Sequence, residues 1–143
     1  MDVFKLDYMV KIFAEYLGGL RCKAVHGPSG AHLVTDAPVD NQGRGEFFSP
    51  TDLLAVSLLT CAGTIMGIYA QKYGWDITGM KMEAHKEMAK NMPRRVAKVT
   101  VEFWMPCILD EKDRQILEGA VEACPVKQTL SKEVEVLSIF HWK

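Results

Sequence analysis

The sequence predicts an α+β fold with antiparallel sheets, on three observations. Short β-branched or alternating runs come in groups, not singly between helices. Two helical patterns interrupt them, one apolar on every side and one amphipathic. No βαβ unit repeats, which disfavours a parallel nucleotide-binding sheet. The order reads βββ-α-ββ-αα-β.

Residues 9–16 are rich in β-branched and aromatic side chains and read as the first strand. Gly18-Gly19 is a hairpin signal, and residues 20–26 follow as a second strand. Gly27-Pro28-Ser29-Gly30 marks a turn into a short strand over 32–35. Residues 36–48 hold Pro38, Asn41, Gly43 and Gly45 and read as an irregular loop. Ser49 as N-cap and Pro50 at the first helical position open a long helix, with Asp52 in its first turn. It should run to Tyr73, stop at Gly74 and span roughly 35 Å. Residues 77–88 alternate, with Met80, Met82 and Ala84 opposite Lys81, Glu83 and His85, as a half-buried strand does. After a turn at Pro93, residues 96–105 form the next strand, with Val99, Val101 and Phe103 on one face. Asp110 caps an amphipathic helix carrying Ile116, Leu117, Ala120, Val121 and Cys124. Pro125 breaks it and restarts a turn to Leu130, and residues 134–142 form the last strand.

The 143 residues fit one domain, read as 9–143 with 1–8 as an N-terminal extension. Hydrophobic residues at 48% and charged residues at 24% exclude a disordered chain. A formal net charge of -1 gives no reason to expect a nucleic-acid partner. Lys86, Lys90, Arg94, Arg95 and Lys98 flank the Pro93 turn and read as a solvated hairpin tip. Residues 53–70 carry no charge and reach the length of a membrane span. Ser57, Thr60, Gly63, Thr64 and Gly67 within the run, and the lack of a basic flank before it, favour a helix buried inside a globule. No membrane partner is expected. No secretory signal is expected either, since residues 1–8 carry acids and no apolar run.

Four cysteines, Cys22, Cys61, Cys107 and Cys124, form no C-x-x-C pair, so no zinc ribbon or thioredoxin-type motif is present. His26, His32, His85 and His141 match no metal spacing, and no metal or other cofactor is expected. Without an export signal the cysteines point to a reducing cytoplasm, where a disulfide is transient and catalytic. Cys61 sits inside the apolar helix, where a free thiol also packs as a small hydrophobe. Cys124 precedes Pro125 at a helix start, where free backbone N–H groups are expected to lower its pKa. Two thiols that can meet allow attack on a peroxide, a sulfenic acid and then a disulfide.

The segment Phe48-Ser49-Pro50-Thr51-Asp52-Leu53-Leu54-Ala55 through Cys61, followed by Ala123-Cys124-Pro125-Val126-Lys127 and Leu130, resembles the OsmC-like proteins. These are the osmotically induced and organic hydroperoxide resistance proteins. Tyr16-Leu17-Gly18-Gly19 and Thr35-Asp36 also match, so the resemblance runs from Met9 to the C-terminus. It implies an intertwined homodimer with antiparallel sheets wrapped around long central helices. It implies that Cys61 attacks organic hydroperoxides, that Cys124 resolves, and that a dithiol such as a lipoylated protein regenerates the pair. Family peroxidases add an arginine from the N-terminal hairpin and a glutamate at the start of the central helix. Arg21 is the candidate arginine; on the residues alone it is equally a solvated strand residue. Thr51 stands where the glutamate would be, with Asp52 next to it, so this chain departs from the pattern. That departure leaves an alternative: a redox sensor, or a binding protein for a small apolar ligand, without fast peroxidase turnover.

An all-apolar helix needs cover on every side. The Gly63/Gly67 face is expected to meet the same helix of a second chain, in an obligate homodimer.

Overall fold

The computed structural model describes residues 9–143, so the N-terminal extension expected over 1–8 lies outside the described residues. The chain forms two compact units, one ending at Pro50 and the other running from Thr51 to Lys143.

The first unit is an antiparallel meander of β1 (Ile12–Gly18), β2 (Arg21–His26) and β3 (His32–Asp36), in that order across the sheet. Gly18 and Gly19 take φ of +80° and +60° in the first turn, the left-handed region that glycine occupies freely. After β3 a short 3-10 turn (Val39–Asn41) opens a loop that folds back on the strand end. The Asp36 N–H donates to the Phe48 carbonyl at 3.1 Å, and the Gly45 N–H to the Ala37 carbonyl at 3.2 Å. A side chain at Gly43 would sit 1.7 Å from the Ala37 oxygen, so only glycine fits the return. This sheet has little core of its own. Ile12, Phe13, Tyr16 and Leu17 are each more than half exposed, and among the described residues of the unit only Asp36 and Ser49 are buried.

The second unit begins in α1 (Pro50–Tyr73), whose ends fall where Pro50 and Gly74 predict them. By length and composition α1 could cross a membrane. Instead Ala55, Leu58, Ala62, Met66 and Ala70, spaced three or four apart, bury one stripe of it. That stripe joins Val99, Val101 and Phe103 of the sheet and Leu117 and Val121 of α2 (Glu111–Glu122) in one core. Each fully buried Leu or Phe there contributes about 2 kcal/mol. Asp110 caps α2 as predicted, its Oδ1 accepting the Asp113 N–H at 2.8 Å.

The second sheet has the order β4 (Lys81–Met88), β5 (Val96–Trp104), β6 (Glu135–His141). It corrects the antiparallel expectation. β4 and β5 pair antiparallel across a short turn, but β5 and β6 run parallel. The connection between them carries α2 and α3 (Pro125–Thr129), long enough to return the chain to the other end of the sheet. β4 also starts later than residue 77. Asp76 Oδ1 accepts the Thr78 N–H at 2.9 Å and Gly79 adopts φ +84°, so residues 76–80 turn before the strand begins.

A Cβ on Gly63 would lie 2.6 Å from the Met82 sulfur, so Gly63 packs against β4 of its own chain. Gly67, Trp75, Ile77 and Met80 line a hollow of about 390 Å³ beside it. Lys86 is no hairpin-tip residue: it lies on the inner face of β4, its side chain 17% exposed.

Ser138, on the inner face of β6, has a buried hydroxyl with no hydrogen-bond partner among the described residues. An unpaired buried hydroxyl keeps its desolvation cost. Ser138→Ala is therefore expected to stabilise the protein by about 1 kcal/mol in urea denaturation. A loss of stability would show that the hydroxyl is satisfied in solution.

Candidate active site

Cys61 lies in the middle of α1, between core residues Leu58 and Ala62 and half-buried. Cys124 is the last residue before α3. Pro125 cannot continue α2, so the helix stops at Glu122 and restarts one residue after Cys124. The Cys124 N–H reaches the Val121 carbonyl at 3.1 Å, and its own carbonyl accepts the Gln128 N–H at 3.0 Å. The backbone is thus tied on both sides, and the side chain is fully buried. There the Cys61 side chain is its hydrogen-bonding neighbour. Both cysteines are free thiols, and the same core encloses them.

The Cys124 thiol is not activated. Burial, first, and then the hydrogen bond with Cys61 push its pKa up, and negative charge on Cys61 adds to the effect. The backbone N–H groups of Lys127 and Val126 pull the other way and lose. The expected helix-start effect is present in kind but outweighed. Lys127 gives its ammonium to Glu122, at 2.6 and 2.7 Å from the two carboxylate oxygens.

At the start of α1, Thr51 and Asp52 are held by the inward Lys86. Its Nζ donates to Thr51 Oγ1 at 2.8 Å and to Asp52 Oδ1 at 2.7 Å. In the first unit, Arg21 is 22% exposed and is no solvated strand residue. Its Nη2 pairs with Asp36 Oδ2 at 3.3 Å and with Glu46 Oε2, and its guanidinium lies over the Phe47 ring, 5.1 Å from the centroid. Sequence reasoning sought a carboxylate at Thr51 or Asp52 and did not single out Glu46 or Lys86. Glu46 sits in an irregular loop with no periodicity to mark it. Lys86 carried a signal: it shares strand parity with Met82, Ala84 and Met88. Among the described residues no group of three or more His, Cys, Asp and Glu side chains is placed to hold a metal ion.

A family model described as OsmC-like protein matches residues 43–138. The chain belongs to the OsmC-like family. Among solved structures, it is 41% identical to a candidate osmotic stress induced and detoxification response protein of Psychrobacter arcticus 273-4. That match covers 96% of this chain and 99% of the other, with a TM-score of 0.89. An organic hydroperoxide resistance protein OsmC of Legionella pneumophila is 16% identical, with 96% and 99% covered and a TM-score of 0.77. An organic hydroperoxide resistance protein of Elizabethkingia anophelis is 15% identical, with 97% and 99% covered and a TM-score of 0.78. The last two establish a shared fold. No curated protein matches the chain.

The raised Cys124 pKa has a consequence for stability. The folded state holds this proton more tightly than the unfolded chain does, so the contribution is complete below the ordinary thiol pKa. It is lost as pH rises through the higher folded value. Under a reductant, wild-type stability should fall more steeply above about pH 8.5 than that of Cys124→Ala. The excess slope is at most about 1.4 kcal/mol per pH unit, the limit for one proton. Parallel curves for the two proteins would show that Cys124 ionises normally.

Proposed function

We propose that this OsmC-like protein is a cytoplasmic thiol peroxidase acting on organic hydroperoxides. The observation that carries the reading is that Cys61 packs against the core that fully buries Cys124, with Cys61 among the groups that raise the Cys124 thiol pKa. The Cys61 thiolate attacks the terminal peroxide oxygen, the O–O bond breaks, and the alkoxide leaves as an alcohol after taking a proton. Cys61 is then a sulfenic acid. Its negative charge is gone, and with it one of the effects that oppose Cys124 ionisation. The Cys124 sulfur attacks the sulfenic sulfur, a disulfide forms and water leaves. A dithiol, a lipoylated protein by the family's pattern, returns two electrons and two protons. By the family's pattern an arginine of the N-terminal hairpin, Arg21 in this chain, would supply a positive charge for the developing anions.

A second reading keeps the fold and the thiol pair but not fast turnover: a redox sensor, or a binder of a small apolar ligand. The observation in its favour is that Asp52, the carboxylate at the start of α1, is tied to Lys86. Peroxide consumption with a dithiol reductant separates the two. Cys61→Ser should fall to the uncatalysed background, and Cys124→Ser should react once and stop at the sulfenic acid. Wild-type turnover no faster than that of Cys61→Ser would remove the peroxidase reading and leave the second.

We further propose an obligate homodimer. The β1–β3 sheet exposes Ile12, Phe13, Tyr16, Leu17 and Leu33, and α1 exposes Ile68. A soluble monomer rarely leaves this much large apolar surface bare, and a second copy would cover it. Sedimentation at micromolar protein is expected to give about twice the 16.0 kDa chain mass. A well-folded monomer at that concentration would overturn the assembly.

A further inference from the structure

We propose that Asp36 is a positioning residue for Arg21. This rests on the peroxidase reading above, in which Arg21 is the cation of the site. The sheet itself brings the two together. Arg21 and Asp36 are direct partners in the β2–β3 register, so their side chains leave the same face. Asp36 is fully buried, an unusual place for a carboxylate. One of its oxygens, Oδ2, accepts both the Arg21 Nη2–H at 3.3 Å and the Glu46 N–H at 3.0 Å. It therefore grips the guanidinium and also the residue whose own carboxylate closes on the same Nη2. The Glu46 N–H, first, and then the Arg21 guanidinium hold the Asp36 carboxyl below the usual carboxylate range despite its burial. Asp36 thus stays ionised.

The loop is built to make this grip. The Gly45 N–H, the Asp36 N–H and the side-chain-free Gly43 fold residues 37–48 back onto the end of β3. Phe47 then lies against the guanidinium. Arginine–carboxylate pairs are frequently bidentate, with two parallel N–H···O bonds. Here both carboxylates converge on Nη2, while Nε is buried and unpaired among the described residues. The arrangement costs a buried charge and an unpaired donor. What it provides is a guanidinium fixed in direction with one donor uncommitted.

The test uses the full chain and two independent readouts. Phenylglyoxal modifies accessible, mobile arginines, and peptide mass spectrometry reports Arg21 alone. Asp36→Asn keeps size and one acceptor but loses the charge. It should speed Arg21 modification several-fold at unchanged far-UV circular dichroism. It should also lower kcat for cumene hydroperoxide by about tenfold to a hundredfold with a smaller change in KM, and Asp36→Glu should recover part of it. Unchanged Arg21 modification in folded Asp36→Asn overturns the proposal. If Asp36→Asn does not fold, Glu46→Gln carries the test. With Asp36 in place Arg21 should stay protected, and modification as fast as that of the exposed Arg44 overturns the proposal. Protected Arg21 in a wild-type protein without peroxide turnover would remove the peroxidase reading and leave the clamp standing.

Discussion

The second unit depends on covering α1, a helix with no charge between Leu53 and Ala70. Its hydrophobic stabilisation comes from the stripe Ala55, Leu58, Ala62, Met66 and Ala70, which meets the inner face of β5 and one side of α2. Gly63 lets β4 approach closely enough for Met82 to touch the helix backbone region. The sheet, the crossover through α2 and the break at Pro125 are all arranged around that one helix. Cys124 is buried because it lies at the break, where the chain turns back over the same core.

Burial then decides the chemistry. A thiol at a helix start in water would ionise early, but two N–H groups do not outweigh the loss of solvent around Cys124. The pair is therefore unequal by construction. One sulfur is held neutral and close; the other sits on the half-exposed side of the helix. An unequal pair suits an ordered sequence in which one thiol meets oxidant and the second waits.

Much of this was legible in the sequence, for local reasons. Pro50, Gly74, Asp110 and Pro125 each fix a helix end through backbone chemistry that needs no tertiary partner. The alternation in β5 placed Val99, Val101 and Phe103 inward, and they are fully buried. What was not legible depends on distant parts of the chain. Parallel pairing of β5 with β6 follows from the path of the crossover, not from either strand's residues. The Cys124 pKa reverses because of packing that only the folded core supplies. Lys86 was misread because nearby basic residues outweighed its strand parity. Glu46 was missed because a loop has no period, and its carboxylate meets Arg21 only once its N–H is held by the buried Asp36 and the loop has folded back.

The central claim is that Cys61 and Cys124 form one redox unit. Peptide mass spectrometry after a single equivalent of cumene hydroperoxide tests it directly, with no assumption about the reductant. The account predicts one Cys61–Cys124 disulfide, reversed by a dithiol, with Cys22 and Cys107 still reduced. Unchanged thiols, or a disulfide that joins Cys61 to Cys22 or Cys107 instead, would contradict it.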